Sequence, residues 1–65
     1  MPGYRCFFFG IDNHILSRFD FEAESDVLAI IEARAQYAES EFRNGFEVLE
    51  RSRLVYQENR VPQRP

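Results

Sequence analysis

At 65 residues the chain is a single domain whose folding buries only roughly 60% of the surface an unfolded chain exposes, so its core is thin. The net charge is −3, and ten of the eleven acids lie in residues 12–50, a distribution opposed to duplex nucleic-acid binding, which relies on a basic patch. The one cysteine, Cys6, excludes an internal disulfide. The one histidine, His14, stands in no zinc-type spacing, so neither a metal nor a cofactor is expected.

Residues 4–9 and 14–21 are rich in aromatic and β-branched types on either side of a Gly-Ile-Asp-Asn stretch, which predicts a β-hairpin closed by a four-residue loop at 10–13. A helix follows, with Ser25 or Asp26 at its start and Glu22, Glu24 and Asp26 at the positive end of its dipole. Leu28, Ile31, Ala35, Ala38 and Phe42 recur at spacings of three and four, the mark of one buried helical face. Asn44-Gly45 is the expected stop. Two short strands, 46–50 and 53–56, then meet through Arg51-Ser52, a turn that lacks the residues favoured at positive φ. The folded domain spans 1–57. The last residues, 58–65, are polar with two prolines and predict a flexible tail. With no basic segment ahead of an apolar stretch and nothing approaching a membrane span, the expected location is cytoplasmic.

The fold class is therefore α+β: a ββαββ chain forming a four-stranded antiparallel sheet in the order 2-1-3-4, with the helix on one face. The order follows from a right-handed crossover that leaves the first strand between the second and third. Pairing 9 with 14, 7 with 16 and 48 with 55 turns Tyr4, Cys6, Phe8, Ile15, Ser17, Phe19, Phe21, Phe46, Val48 and Val55 toward the helix. The opposite face receives Arg5, Phe7, Phe9, His14, Leu16, Arg18, Glu47, Leu49, Leu54 and Tyr56. No second helix remains to cover it, and six large apolar side chains there make a patch on the order of several hundred Å², the size of an interaction surface.

The opening MPGYRCFFF, the EAESD run before the helix and the closing FEVLERSRLVY resemble, over about residues 2–56, a group of short uncharacterised bacterial proteins. These begin Met-Pro-x-Tyr and end in a strand-turn-strand near Arg-Leu-Val. The resemblance implies the ββαββ pattern but no activity and no functional residues. This chain departs from it at Arg51-Ser52, where a Gly-containing turn is common.

Catalytic chemistry is sparse. Asp12 and His14 form the spacing of a base with an orienting acid, yet no Ser or Cys nucleophile accompanies them. The expected function is thus a small non-enzymatic protein–protein interaction module, self-associating as a homodimer through Arg5, Phe7, Phe9, Leu16, Arg18, Leu49, Leu54 and Tyr56, with room for an unidentified protein partner. Two alternatives stand beside it. One is a single-stranded nucleic-acid binder with Phe7 and Phe9 as stacking platforms and Arg5 and Arg18 on phosphates, against which the acidity counts. The other is a mobile-element inhibitor presenting its acidic helix to a basic site.

Overall fold

A computed structural model describes residues 1–58. Five elements follow one another: β1 (Gly3–Phe9), β2 (Ile15–Glu22), α1 (Asp26–Glu39), β3 (Phe46–Glu50) and β4 (Arg53–Glu58). The strands form one antiparallel sheet in the order β2-β1-β3-β4. Fold class and strand order are those expected. Glu58 belongs to β4 rather than to a tail, and the rest of the expected tail lies outside the described residues.

Both hairpins contain an irregularity that the sequence reading lacks. In the first, Phe7 pairs with Arg18 and Cys6 with Phe19, two positions away from the expected partners. A displacement of two leaves each side chain on its expected face. Between Phe8 and Phe9 the register slips by one, so that Phe8 faces Ser17 while Phe9 faces Ile15, and Leu16 is the extra residue. The connection closes as a tighter loop than expected. The Gly10 N–H donates to the His14 carbonyl at 2.7 Å, the Asn13 N–H donates to the Gly10 carbonyl at 3.0 Å, and Asn13 adopts φ 68. This is a turn followed by a left-handed residue, the usual way to close a three-residue loop, and Asn tolerates that conformation well.

In the second hairpin Glu50 pairs with Arg53 and Leu49 with Leu54, as expected, but Val48 then faces Tyr56 and Val55 becomes the extra residue. Arg51 takes φ 57 to make the turn. The bulge carries Tyr56 from the open face to the helix face.

The core lies between α1 and the inner sheet face, where Tyr4, Cys6, Phe8, Phe46 and Val48 are buried with Ala29, Ala33 and Tyr37 of the helix. Phe8 is its centre, with ring centroids 5.7 Å from Phe19, 5.7 Å from Tyr37, 5.5 Å from Phe42 and 6.4 Å from Phe46. Burial pushes the Cys6 thiol up to about 12, which leaves it protonated and inert at neutral pH.

Here the helix differs from expectation. The buried stripe is Ala29, Ala33 and Tyr37, whereas Leu28 and Ile31 are 47% and 56% exposed and Ala35 and Ala38 are also exposed. The physical reason is volume. The inner sheet face already supplies aromatic bulk, so the helix approaches through small residues, and Leu or Ile there would hold it too far away. Close approach is locked at the first turn, where Asp26 accepts from the Tyr4 hydroxyl at 2.8 Å and from both terminal nitrogens of Arg53 at 3.0 and 3.1 Å. Ser25 caps the helix by accepting the Leu28 N–H at 3.2 Å. The helix ends early, at Ser40 rather than Asn44-Gly45. The Ser40 N–H and hydroxyl both donate to the Tyr37 carbonyl, at 3.1 and 2.7 Å. Phe42 therefore lies beyond the helix, half-buried against the core. Gly45, at φ 104, instead lets the chain enter β3, its N–H donating to the Tyr37 hydroxyl at 3.0 Å.

Candidate interaction surface

The regular part of the sheet sets the composition of the outer face. One row runs Asp20, Arg5, Leu49, Leu54 across the four strands, and the next runs Arg18, Phe7, Glu47, Gln57. Leu54 is exposed, while Phe7 and Leu49 are half-buried by their neighbours. The charges are ordered. Arg5 Nε donates to Asp20 at 3.0 Å and holds that carboxyl below its usual range, with Arg18 adding a weaker attraction. Gln57 donates to Glu47 at 3.0 Å. An apolar strip of Phe7, Leu49 and Leu54 is thus framed by alternating charge.

Of the eight residues expected on this surface, Arg5, Phe7, Arg18, Leu49 and Leu54 occupy it. Leu16 is exposed at the bulge and packs over Gly10, close enough that a Cβ on Gly10 would meet its side chain at 2.9 Å. Phe9 is not on the surface. It is 2% exposed and its N–H donates to the Gly45 carbonyl at 3.1 Å, and Phe8, Phe9 and Gly10 are all buried in succession. This burial accounts for one of the three consecutive phenylalanines and withdraws one of the two stacking platforms that the nucleic-acid alternative requires.

Tyr56 is on the helix side of the sheet. Its hydroxyl accepts from Arg34 at 2.7 Å and donates to Glu58 at 2.6 Å, the Arg34 guanidinium carbon stands 5.3 Å from its ring centroid, and Arg34 also reaches Glu58 at 3.2 Å. The tyrosine hydrogen bond first, and the carboxylate of Glu58 after it, raise the Arg34 pKa. Asp12 and His14 are hydrogen-bonded to each other in the exposed loop. There the Asp12 carboxylate also accepts the His14 N–H at 3.2 Å and is held below the usual range by those contacts, a device that shapes the turn.

The sequence reading found the stripe of Leu28, Ile31, Ala35 and Ala38 but missed that it faces outward. Its signal was present, since apolar residues at 28, 31, 35 and 38 coexist with a second run at 29, 33 and 37, and a helix apolar on two sides has one to spare. Among the described residues no helix is long and apolar enough to cross a membrane. No protein-family model matches the chain, and neither the curated proteins nor the solved structures contain a match.

Proposed function

We propose that this chain is a non-enzymatic protein–protein interaction module that self-associates through the outer face of its sheet. The observation that carries the reading is the strip of Phe7, Leu49 and Leu54, set among ordered opposite charges and covered by no element among the described residues. The charges are self-complementary. Arg18 and Asp20 stand two residues apart on one face of β2, so a two-fold axis across the strands between the two rows brings Arg18 of each copy to Asp20 of the other and lays the Phe7 ring on Arg5 of the other. With Phe9 and Tyr56 withdrawn, the face is smaller than the roughly 800 Å² per partner of a stable complex, and the association is weak and reversible.

Light scattering between about 10 μM and about 1 mM tests this. A mass rising from monomer toward dimer, with Phe7→Glu and Arg18→Asp each holding the chain monomeric and the Arg18→Asp/Asp20→Arg double exchange restoring association, is the expected result. A monomer throughout the range, or a dimer indifferent to Phe7→Glu, overturns it. Micromolar binding of single-stranded RNA that is lost on Phe7→Ala would replace it with the nucleic-acid reading.

A further inference from the structure

The outward stripe of α1 is separate from the sheet surface and on the other side of the domain. Val27, Leu28 and Ile31 are large and exposed, and Ala35 and Ala38 continue the stripe along the helix. Beside its N-terminal half an open groove of about 460 Å³ runs between helix and chain, floored by Met1, Phe21, Ala23, Leu28 and Ile31. It exists because α1 lies over β1, β3 and β4 and leaves the inner side of the edge strand β2 partly bare, with Phe21 only half-buried.

Among the described residues the charged side chains lining this groove all carry the same sign. Glu22, Glu24 and Glu32 line it, and among the described residues no Arg does. The charges that would offset them point elsewhere. Arg34, the one basic residue of α1, is turned to β4 by Tyr56 and Glu58, and Arg53 is committed to Asp26 and Glu50. Glu32 is steadied by a neutral donor, Gln36 Nε2 at 3.1 Å, which leaves its charge in place.

We propose that this groove is a docking site for a basic amphipathic segment of another protein, a helix whose aliphatic side chains at i and i+3 or i+4 enter between Phe21, Leu28 and Ile31 while its Arg or Lys residues meet Glu22, Glu24 and Glu32. Apolar floor and acidic rim select that chemistry together, the helix-in-groove mode of recognition with charge setting the partner. A second copy of the chain is a poor occupant. Two α1 helices packed antiparallel through this stripe about a two-fold axis bring like flanks together, acid against acid. The site does not rest on self-association, and both surfaces can be filled at once.

The test uses the full chain with its Val, Leu and Ile methyl groups observed by NMR. The probe is an amidated peptide about as long as the 14 residues of α1, with Leu at helical 3-4 spacing and Lys elsewhere, beside a twin in which Glu replaces every Lys. The Lys peptide is expected to shift Val27, Leu28 and Ile31 saturably, the Glu twin to shift nothing, and affinity to fall about tenfold between about 50 and about 200 mM salt. The Glu24→Lys/Glu32→Lys double variant and the charge-neutral Ile31→Gln should each weaken binding about fivefold or more; all three positions are exposed, so the fold is retained. Binding equally strong to Ile31→Gln means attraction by charge alone and overturns the proposal, as do shifts centred on Leu49 and Leu54. Repeating the titration on Phe7→Glu separates the two surfaces: binding there must match the parent whether or not the parent self-associates.

Discussion

The two sides of α1 are a study in opposites. The side against the sheet is built of Ala29, Ala33 and Tyr37, and the side facing out carries Val27, Leu28 and Ile31. By side-chain hydrophobicity alone the outer side is the better candidate for burial. The inner one wins because burial is decided by pairs of surfaces. The sheet presents Tyr4, Phe8, Phe46 and, at its margins, Phe19, Phe21 and Tyr56, and this bulk fits small residues and one interlocking tyrosine. Where one layer is crowded, the other must be thin.

That comparison can be broken most forcefully at Tyr37. Its ring lies 4.9 Å from Phe46 and its hydroxyl satisfies the buried Gly45 N–H. Tyr37→Ala should cost about 3–5 kcal/mol for the lost ring, with a further penalty of about 1–3 kcal/mol for the orphaned donor. That is close to the whole stability of so small a domain, and urea titration should find no cooperative transition. A retained midpoint would mean that the inner stripe is misassigned. Ala33→Leu tests the same contact by crowding. It should destabilise by roughly 1–3 kcal/mol although it adds apolar surface, whereas Ala35→Leu, on the outer side, should be close to neutral.

The orientation of the helix is sharpened by Asp26, which faces Tyr4 and Arg53 together. Arg53 first, and the Tyr4 hydroxyl second, hold its carboxyl below the usual range. The folded state therefore favours the carboxylate. Its contribution is complete above about pH 4, the ordinary Asp value, and is lost as pH falls through the lowered one. Chemical denaturation at a series of pH values should show stability falling below about pH 4, and Asp26→Asn should lower stability at neutral pH while making that acid decline shallower. Asp12 and Asp20, lowered by His14 and Arg5, keep part of the slope in the variant.

The smallest effect belongs to Ile31, where substitution by Ala should change stability by no more than about 0.5 kcal/mol, as at other exposed positions. A loss of about 2 kcal/mol or more would show that the outer stripe is covered in the isolated protein.

Of the surface proposed for self-association, Arg5, Phe7, Arg18, Leu49 and Leu54 were legible from strand alternation, because each lies within a run of unbroken period two. Tyr56 was not, because it lies beyond a bulge, and neither was the burial of Phe9. One extra residue, Leu16 in β2 and Val55 in β4, reassigns what lies beyond it on its own strand: Tyr56 turns to the helix, and Ile15, expected to face the helix, is exposed. Neither bulge has a local signature. Leu and Val are ordinary strand residues, and no Gly marks the irregularity.

The sequence by itself determined the number, type and order of the elements, a helix start at Ser25 or Asp26, the sheet order and the inward set of Tyr4, Cys6, Phe8, Phe46 and Val48. These follow from local periodicity, capping chemistry and chain connectivity, which act within a few residues or through handedness. Only the tertiary structure decided which stripe of α1 is buried, where the helix stops, that Phe9 is buried and that Tyr56 turns to the helix. Those choices weigh nearly equal local alternatives. They are settled by what the facing layer has room for, by hydrogen bonds from Tyr4 and Arg53 to Asp26, and by the Tyr37 hydroxyl at Gly45, contacts between residues distant in the chain.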